Sequence, residues 1–403
     1  MLEIIEVKNR RDLNRFIAFP HQLYRNVAGW VPPLSLDERM TFSREKNPAF
    51  EFCRARLWLA VIGKKVVGRI AGIINDRYIR DSGKKYARFG WIDFVDDLSV
   101  SKALLLTVES WAQDNGLDAI HGPLGFCDLD KEGMLIEGFD ELSMFITIYN
   151  FPYYPRHLEQ LGYCKDIDWL EFEIKVPEKI PERIIKLNQL IEKRLNVSIV
   201  RIKRKKEILQ YAPAIFKLLN EAYKELYGFV ALTDAQIKSY TKQYFSFINP
   251  DYLRIVVDKD NRLTAFGIAI PSLAAASKKA GGRLLPFGFI HLLRAMKHNE
   301  RLELLLVAIR KDYQGKGVNV LLMNDINKTA IRNGLKFAET GPELETNTDV
   351  QGLWKYFETR QHKRRRCYIK KLTDKESQNV AAAHRAGDKT ERLAHQINLS
   401  CRA

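Results

Sequence analysis

The chain has 403 residues and a net charge of +16, from 65 basic and 49 acidic residues. Hydrophobic residues make up 46% and charged residues 28%, which excludes a disordered chain, a collagen and a disulfide scaffold. The length implies two or three domains, and the basic excess suits polyanionic partners: nucleic acid, an anionic membrane surface or a phosphate-rich cofactor. No apolar run reaches the ~20 residues that cross a bilayer. Met1-Leu2-Glu3-Ile4-Ile5-Glu6 lacks the basic-then-apolar order of a secretory signal, so a cytoplasmic protein is expected. Five single cysteines without Cys-x-x-Cys or zinc spacing read as reduced structural thiols, and no metal site is expected.

Taken in chain order, Leu57–Ile62, Gly63-Lys64-Lys65 and Val66–Ile74 spell a hairpin. The strand Gly90–Val95 follows, and then a helix with Leu104, Leu105, Val108 and Trp111 near 3.6-residue spacing. It stops at Asn115-Gly116, a C-cap signal, and Leu117–His121 is a strand ending in Gly122-Pro123. The glycine- and acid-rich stretch Gly122–Asp140 is an insertion that lines an acceptor cleft or plugs the space between domains. The aromatic stretch Tyr153–Tyr163 follows. Val176–Pro181 joins it to an amphipathic helix running through Leu195.

The plan then recurs. Leu253–Val257, Asp258–Arg262 and Leu263–Ile270 form a second hairpin, and Leu302–Ile309 is a strand. The next helix carries Leu321, Leu322, Ile326 and Ile331. It stops at Asn333-Gly334, and Leu335–Glu339 leads to Gly341-Pro342. Both halves thus spell Asn-Gly-Leu, a short strand and Gly-Pro. Such a repeat implies two similar α/β domains, at 1–176 and 197–372, with a linker helix at 177–196 and a polar tail at 373–403. Pro271–Asn299 is a second insertion. Its apolar stretch Leu284–Lys297, with basic punctuation, packs on its own domain or a second subunit, or touches a membrane or acyl chain. The run Lys363-Arg364-Arg365-Arg366 reads as a solvated basic surface.

Between the strand at Ile309 and the helix after Val318 lies Gln314-Gly315-Lys316-Gly317-Val318-Asn319. Glycines permit close backbone approach, and the first amides of a helix have no intrahelical partner and carry its positive dipole end. Together they make an anion site. The motif lacks the third glycine of a dinucleotide fingerprint and the spacing of Walker A. It resembles the Gln/Arg-x-x-Gly-x-Gly/Ala signature of the GCN5-related N-acetyltransferases, except that Asn319 stands where Gly or Ala is usual.

That resemblance implies two tandem α/β acetyltransferase-like domains, the first degenerate: its loop, Asp96-Asp97-Leu98-Ser99-Val100-Ser101, has two acids and no glycine. It also implies acyl transfer from acetyl-CoA or another acyl-CoA to an amine. The backbone from Gly315 to Val318 would bind pyrophosphate, flanked by Gln314, Lys316 and Asn319, and strand residues Val307 and Ile309 would hold the thioester arm. Glu303 would be the base acting on the amine, against a surface carboxylate on an alternating strand. Tyr356 would be the acid for the leaving thiolate, on a helix from Asn347 where Trp354 competes for that position; a packed aromatic is the other reading. Two further functions stay open. One is a Fem-type aminoacyl-tRNA-dependent transferase, which the charge and tandem halves favour. The other is a non-catalytic acyl-CoA-binding scaffold. A homodimer is a further partner to consider.

Overall fold

The structure is a computed structural model describing residues 1–202, 204–245 and 248–372; the expected polar tail at 373–403 lies outside the described residues. The first half comprises β1 (Leu2–Glu6), α1 (Arg10–Leu23), α2 (Ser35–Thr41), β2 (Cys53–Ile62), β3 (Lys65–Asn75), α3 (Asp76–Ser82), β4 (Tyr86–Phe94), α4 (Leu98–Asp114), β5 (Ala119–Gly122), β6 (Met134–Glu137), α5 (Tyr153–Gln160) and β7 (Cys164–Lys175). α6 (Glu182–Leu195) links the halves. The second comprises β8 (Val197–Val200), α7 (Lys205–Ala222), α8 (Asp234–Tyr240), β9 (Leu253–Asp258), β10 (Leu263–Pro271), α9 (Ala274–Ala280), α10 (Gly288–Ala295), β11 (Arg301–Ile309), α11 (Val318–Arg332), β12 (Phe337–Thr340), β13 (Glu343–Leu344), α12 (Thr348–Gln351) and β14 (Thr359–Lys371).

Local sequence explains the repeated units. Asn115 and Asn333 cap α4 and α11, and Gly116 and Gly334 follow at φ +70° and +69°, the left-handed conformation that glycine adopts without a Cβ penalty. The apolar stripe of α4 (Val100, Leu104, Leu105, Val108, Trp111) packs on Ala60, Ile70 and Phe94 of the sheet. In the second half Leu321 and Leu322 of α11 pack with Ile191 of α6, Val256 and Ala265. On another core of that half, Ile208, Ile215, Phe216 and Leu219 of α7 pack with Ile255, Phe266 and Ile268.

The strands form one continuous sheet in the order β1-β2-β3-β4-β5-β14-β7-β12-β11-β10-β9-β8. The last strands of the halves are exchanged. β7 of the first half pairs with β12 of the second, and β14 of the second pairs with β5 of the first. The two lie antiparallel at the centre, from Thr359 opposite Ile174 to Ile369 opposite Cys164.

That central pair revises the basic run. Lys363 and Arg365 are fully buried on β14, ion-paired with Glu171 of β7. Arg364 and Arg366 point the other way and meet Asp168 at 3.3 and 2.8 Å. Side chains alternate faces along a strand, so a run that looks like a surface patch is spent on internal carboxylates. The thiol expectation also changes: Cys53, Cys127 and Cys367 are free and buried, whereas Cys164 is disulfide-bonded.

Candidate functional site

The loop after β11 has the shape its glycines suggested. A single 3-10 turn, Lys311–Tyr313, leads to Gln314, and Gly315 and Gly317 take φ +69° and +94° before α11 begins at Val318. Gln314 Nε2 donates to Ile309 O at 2.9 Å, closing the loop on its strand. Gln314, Gly315 and Lys316 are exposed, while Val318 is a core side chain. The Asn319 carboxamide turns back to accept the Val320 N–H at 3.0 Å. A Cβ on Gly315 would meet nothing within 4 Å, but one on Gly317 would lie 2.8 Å from Ile191 Cδ1. The linker helix also donates from Arg194 to Lys316 O at 3.3 Å. Arg310 is engaged elsewhere, on Asp312 at 2.7 and 2.9 Å and over the Tyr313 ring, which leaves Lys316 as an exposed cation on the loop.

β11 pairs in parallel with β12 only from Arg301 to Leu304, and Gly341 N–H closes the pairing on Leu304 O at 2.9 Å. The register against β10 shifts by one residue at Leu305. Such bulges re-aim a strand and recur beside active sites. From Leu305 to Ile309 the strand has β10 on one side and no pairing with β12 on the other. Val307 is exposed there, and its carbonyl accepts the Tyr223 hydroxyl at 3.0 Å.

Glu303 lies at the paired end of β11 and is fully buried, not on an exposed face. Its Oε1 accepts from Ser272 at 2.6 Å, while Oε2 is buried without a hydrogen-bond partner. Burial pushes its pKa up to about 7; the Ser272 bond opposes this, the neighbouring Glu339 adds to it, and Lys363 and the Phe145 amide of the first half oppose it. A carboxyl poised near neutrality with a free oxygen has the properties of a general base. Register continues the row: Glu303 stands opposite Glu339, which stands opposite Glu173. Lys363 Nζ bridges Glu339 and Glu171 and donates to Leu142 O at 3.2 Å. Glu171, Glu339 and His362 are close enough to share a metal ion, but the Lys363 ammonium already supplies the positive charge between two of them.

The Gly122–Asp140 insertion reaches the same region. Burial drives the carboxyls of Asp128 and Asp130 up to about 7 and about 6, and raises Glu132 further. Asp128 and Glu343 both act on Tyr223, whose hydroxyl is pushed up to about 12, chiefly by burial, and stays protonated. Glu343 is itself raised to about 7 by burial against its bond from Trp354.

Tyr356 faces outward. The helix expected from Asn347 is the short α12, followed by a 3-10 turn at Trp354–Tyr356. The indole of Trp354 is buried and donates to Glu343 at 3.1 and 3.2 Å, which turns Tyr356 outward to 76% exposure. The hydroxyl that meets β11 belongs to Tyr223, more than 130 residues from Tyr356 in sequence. Neither Tyr223 nor Ser272 carries a local motif; only the fold brings them to the strand. In the first half, Asp97 caps α4 with its own carboxylate, accepting from Ser99 N–H at 2.8 Å, and Asp96 pairs with His157 at 3.0 Å. That helix end already holds an anion.

No protein-family model matches the chain. Protein YghO of Escherichia coli (strain K12) is 30% identical over 371 residues, covering 90% of this chain and 94% of that protein. The chain belongs to the YghO family. The bacterial ceramide synthase of Caulobacter vibrioides is 25% identical over 383 residues, covering 92% of the chain and 98% of that protein. Among solved structures, a tandem GNAT protein from the clavulanic acid biosynthesis pathway aligns with TM-score 0.54 at 12% identity, over 93% of this chain and 99% of that one. A GCN5-related N-acetyltransferase from Sphaerobacter thermophilus aligns with TM-score 0.50 at 11% identity, over 92% and 96%. This member of the YghO family has the tandem GNAT fold. Among the described residues no helix is long and apolar enough to cross a membrane.

Proposed function

We propose that the chain transfers an acyl group from acyl-CoA to the amine of a long-chain base, with the second half holding the thioester. The observation that carries this is Glu303, a buried carboxyl with a pKa near 7 and an unpartnered oxygen, on the strand that runs into the Gly315–Val318 loop. In this reading the loop amides and Lys316 hold the pyrophosphate, and the unpaired stretch around Val307 and Ile309 receives the pantetheine arm. The amine nitrogen attacks the thioester carbonyl, a C–N bond forms and the C–S bond breaks. Glu303 takes the amine proton, and the protonated Tyr223 is the candidate donor to the departing thiolate. Asp128, Asp130 and Glu132 line the amine's approach. The first half, with Asp97 on its helix end, binds no CoA there. The units divide at 1–176 and 197–372, each lending its last strand to the other.

A long-chain base is favoured because a ceramide is the amide of one, and the relative bearing that name aligns along nearly the whole chain. The Fem-type alternative loses support: the basic run is spent on ion pairs within the sheet, and Gly315 and Gly317 take the turn conformation ahead of α11. The test is CoA release and product mass from acyl-CoAs of graded length, offered with sphingoid bases or with short amines. Amide formation with the long bases alone is expected. No turnover with any amine, with CoA still bound, would instead favour the scaffold reading.

A further inference from the structure

We propose that the α9–α10 insertion docks the protein on an anionic lipid bilayer. The proposal rests on the surface itself and does not depend on the acyl-transfer reading. Residues 271–299 contain Lys278, Lys279, Arg283, Arg294 and Lys297 and no Asp or Glu. The base of the insertion is fixed to the first half: Ser277 Oγ donates to Pro32 O at 2.7 Å, Lys278 Nζ to Val27 O at 3.1 Å, and Ser35 N–H to Gly282 O at 3.0 Å. Gly282 permits this contact, because at φ +69° a Cβ would lie 2.4 Å from Pro33 O.

Beyond that anchor the apolar side chains face outward. Leu285 and Phe287, in the connection, are 77% and 68% exposed, and Phe289, Ile290 and Leu293, on one face of α10, are 43%, 49% and 53% exposed. Isolated exposed leucines are ordinary, but five large apolar side chains within nine residues form a patch of the kind that marks an interaction surface. Lys279 and Arg283 precede it in sequence and Arg294 and Lys297 follow it, all exposed and, among the described residues, none in an ion pair.

Charge decides between occupants. A second copy seated across a two-fold axis would bring like cations together over a patch without carboxylates. A nucleic acid would satisfy the cations and leave Leu285, Phe287 and Leu293 against water. An anionic bilayer takes both: apolar side chains sink to the acyl boundary and the cations rest among the headgroups. The insertion then holds the molecule at the surface without crossing it. Ser272, at the root of the insertion, is the residue that holds Glu303.

The test is flotation of the full chain with vesicles of phosphatidylcholine alone and with added phosphatidylglycerol. Binding to the anionic vesicles is expected, with at least about tenfold weaker binding to the neutral ones. Two independent variants, Phe287→Ser with Leu293→Ser and Arg294→Glu with Lys297→Glu, are each expected to weaken it about tenfold or more. Their side chains are exposed, so unchanged thermal melts are expected alongside. Failure of the wild type to float with anionic vesicles overturns the proposal, as does full binding by both folded variants. A wild-type dimer that the Phe287 variant dissociates, without vesicle binding, assigns the patch to a second copy and overturns it too.

Discussion

Glu303 sets the pH behaviour expected of the site. Its folded pKa of about 7 lies above the usual carboxyl value of 4.5, so folding favours the proton. The associated stability is fully present below about 4.5 and is lost as pH rises through about 7. Activity moves the opposite way, because a base must be ionised: kcat/KM is expected to climb to a plateau above an apparent pKa near 7. Glu303→Gln should lower kcat by about 10²–10⁴-fold and abolish that limb, while the melting temperature above pH 7 holds or rises. A Gln variant retaining the wild-type limb assigns the base elsewhere. The two loop glycines separate cofactor binding from folding. Gly315→Ala places its methyl in open space at φ +69° and should cost about 1–2 kcal/mol of backbone strain together with weakened CoA binding. Gly317→Ala adds a contact 2.8 Å from Ile191, so it should lose more in a denaturant melt, part of it restored by Ile191→Ala. The sequence showed the loop because its signal is local: glycines between a strand and a helix. The family resemblance pointed to Glu303 through its place on that strand, but not to Ser272 or Tyr223, which reach the strand only through packing.

Strand β14 shows how an element can be misjudged when its neighbours are remote in sequence. Lys363-Arg364-Arg365-Arg366 looks solvated on its own, and its partners Asp168 and Glu171 lie nearly 200 residues earlier. Elements built from local pattern were legible: both hairpins, both Asn-Gly helix stops and the strand before the loop fall where periodicity placed them. The helix after Asn347 was not, because burial of Trp354 against Glu343 ends it after one turn. The central network has a measurable consequence. Lys363 is buried between Glu171 and Glu339, so Lys363→Met should destabilise by about 3–5 kcal/mol by leaving carboxylates unpaired. Glu171 keeps Arg365, and burial alone would raise its pKa; the Arg365 and Lys363 cations outweigh that and hold it low. Glu339 loses more. Lys363→Met combined with Glu339→Gln should therefore recover part of the loss in urea unfolding, and a strictly additive double mutant would show that the two do not interact.

At the scale of the whole molecule, the exchanged strands make the two repeats one folding unit. A repeat in sequence suggests halves that fold alone, each with a core of its own. The sheet instead runs through both: without β14, β5 becomes an open edge, and without β7, β12 does. Open strand edges invite aggregation, and the buried cations of β14 would lose the carboxylates of β7. The buried carboxyl obeys the same logic: Ser272 of the second half holds Glu303, and Phe145 of the first half lies close enough to draw its pKa down. Cutting the chain in the Val176–Pro181 connection is expected to give fragments that are insoluble or lack a cooperative melt when produced separately. Produced together, they should associate into one species with the intact sheet and with CoA binding restored, because the exchange needs both chains and not the peptide bond between them. Sedimentation and thermal melting of each fragment and of the pair read this directly. Two fragments that each fold, melt cooperatively and stay monomeric would mean that the exchanged strands are dispensable and that the site does not need both halves.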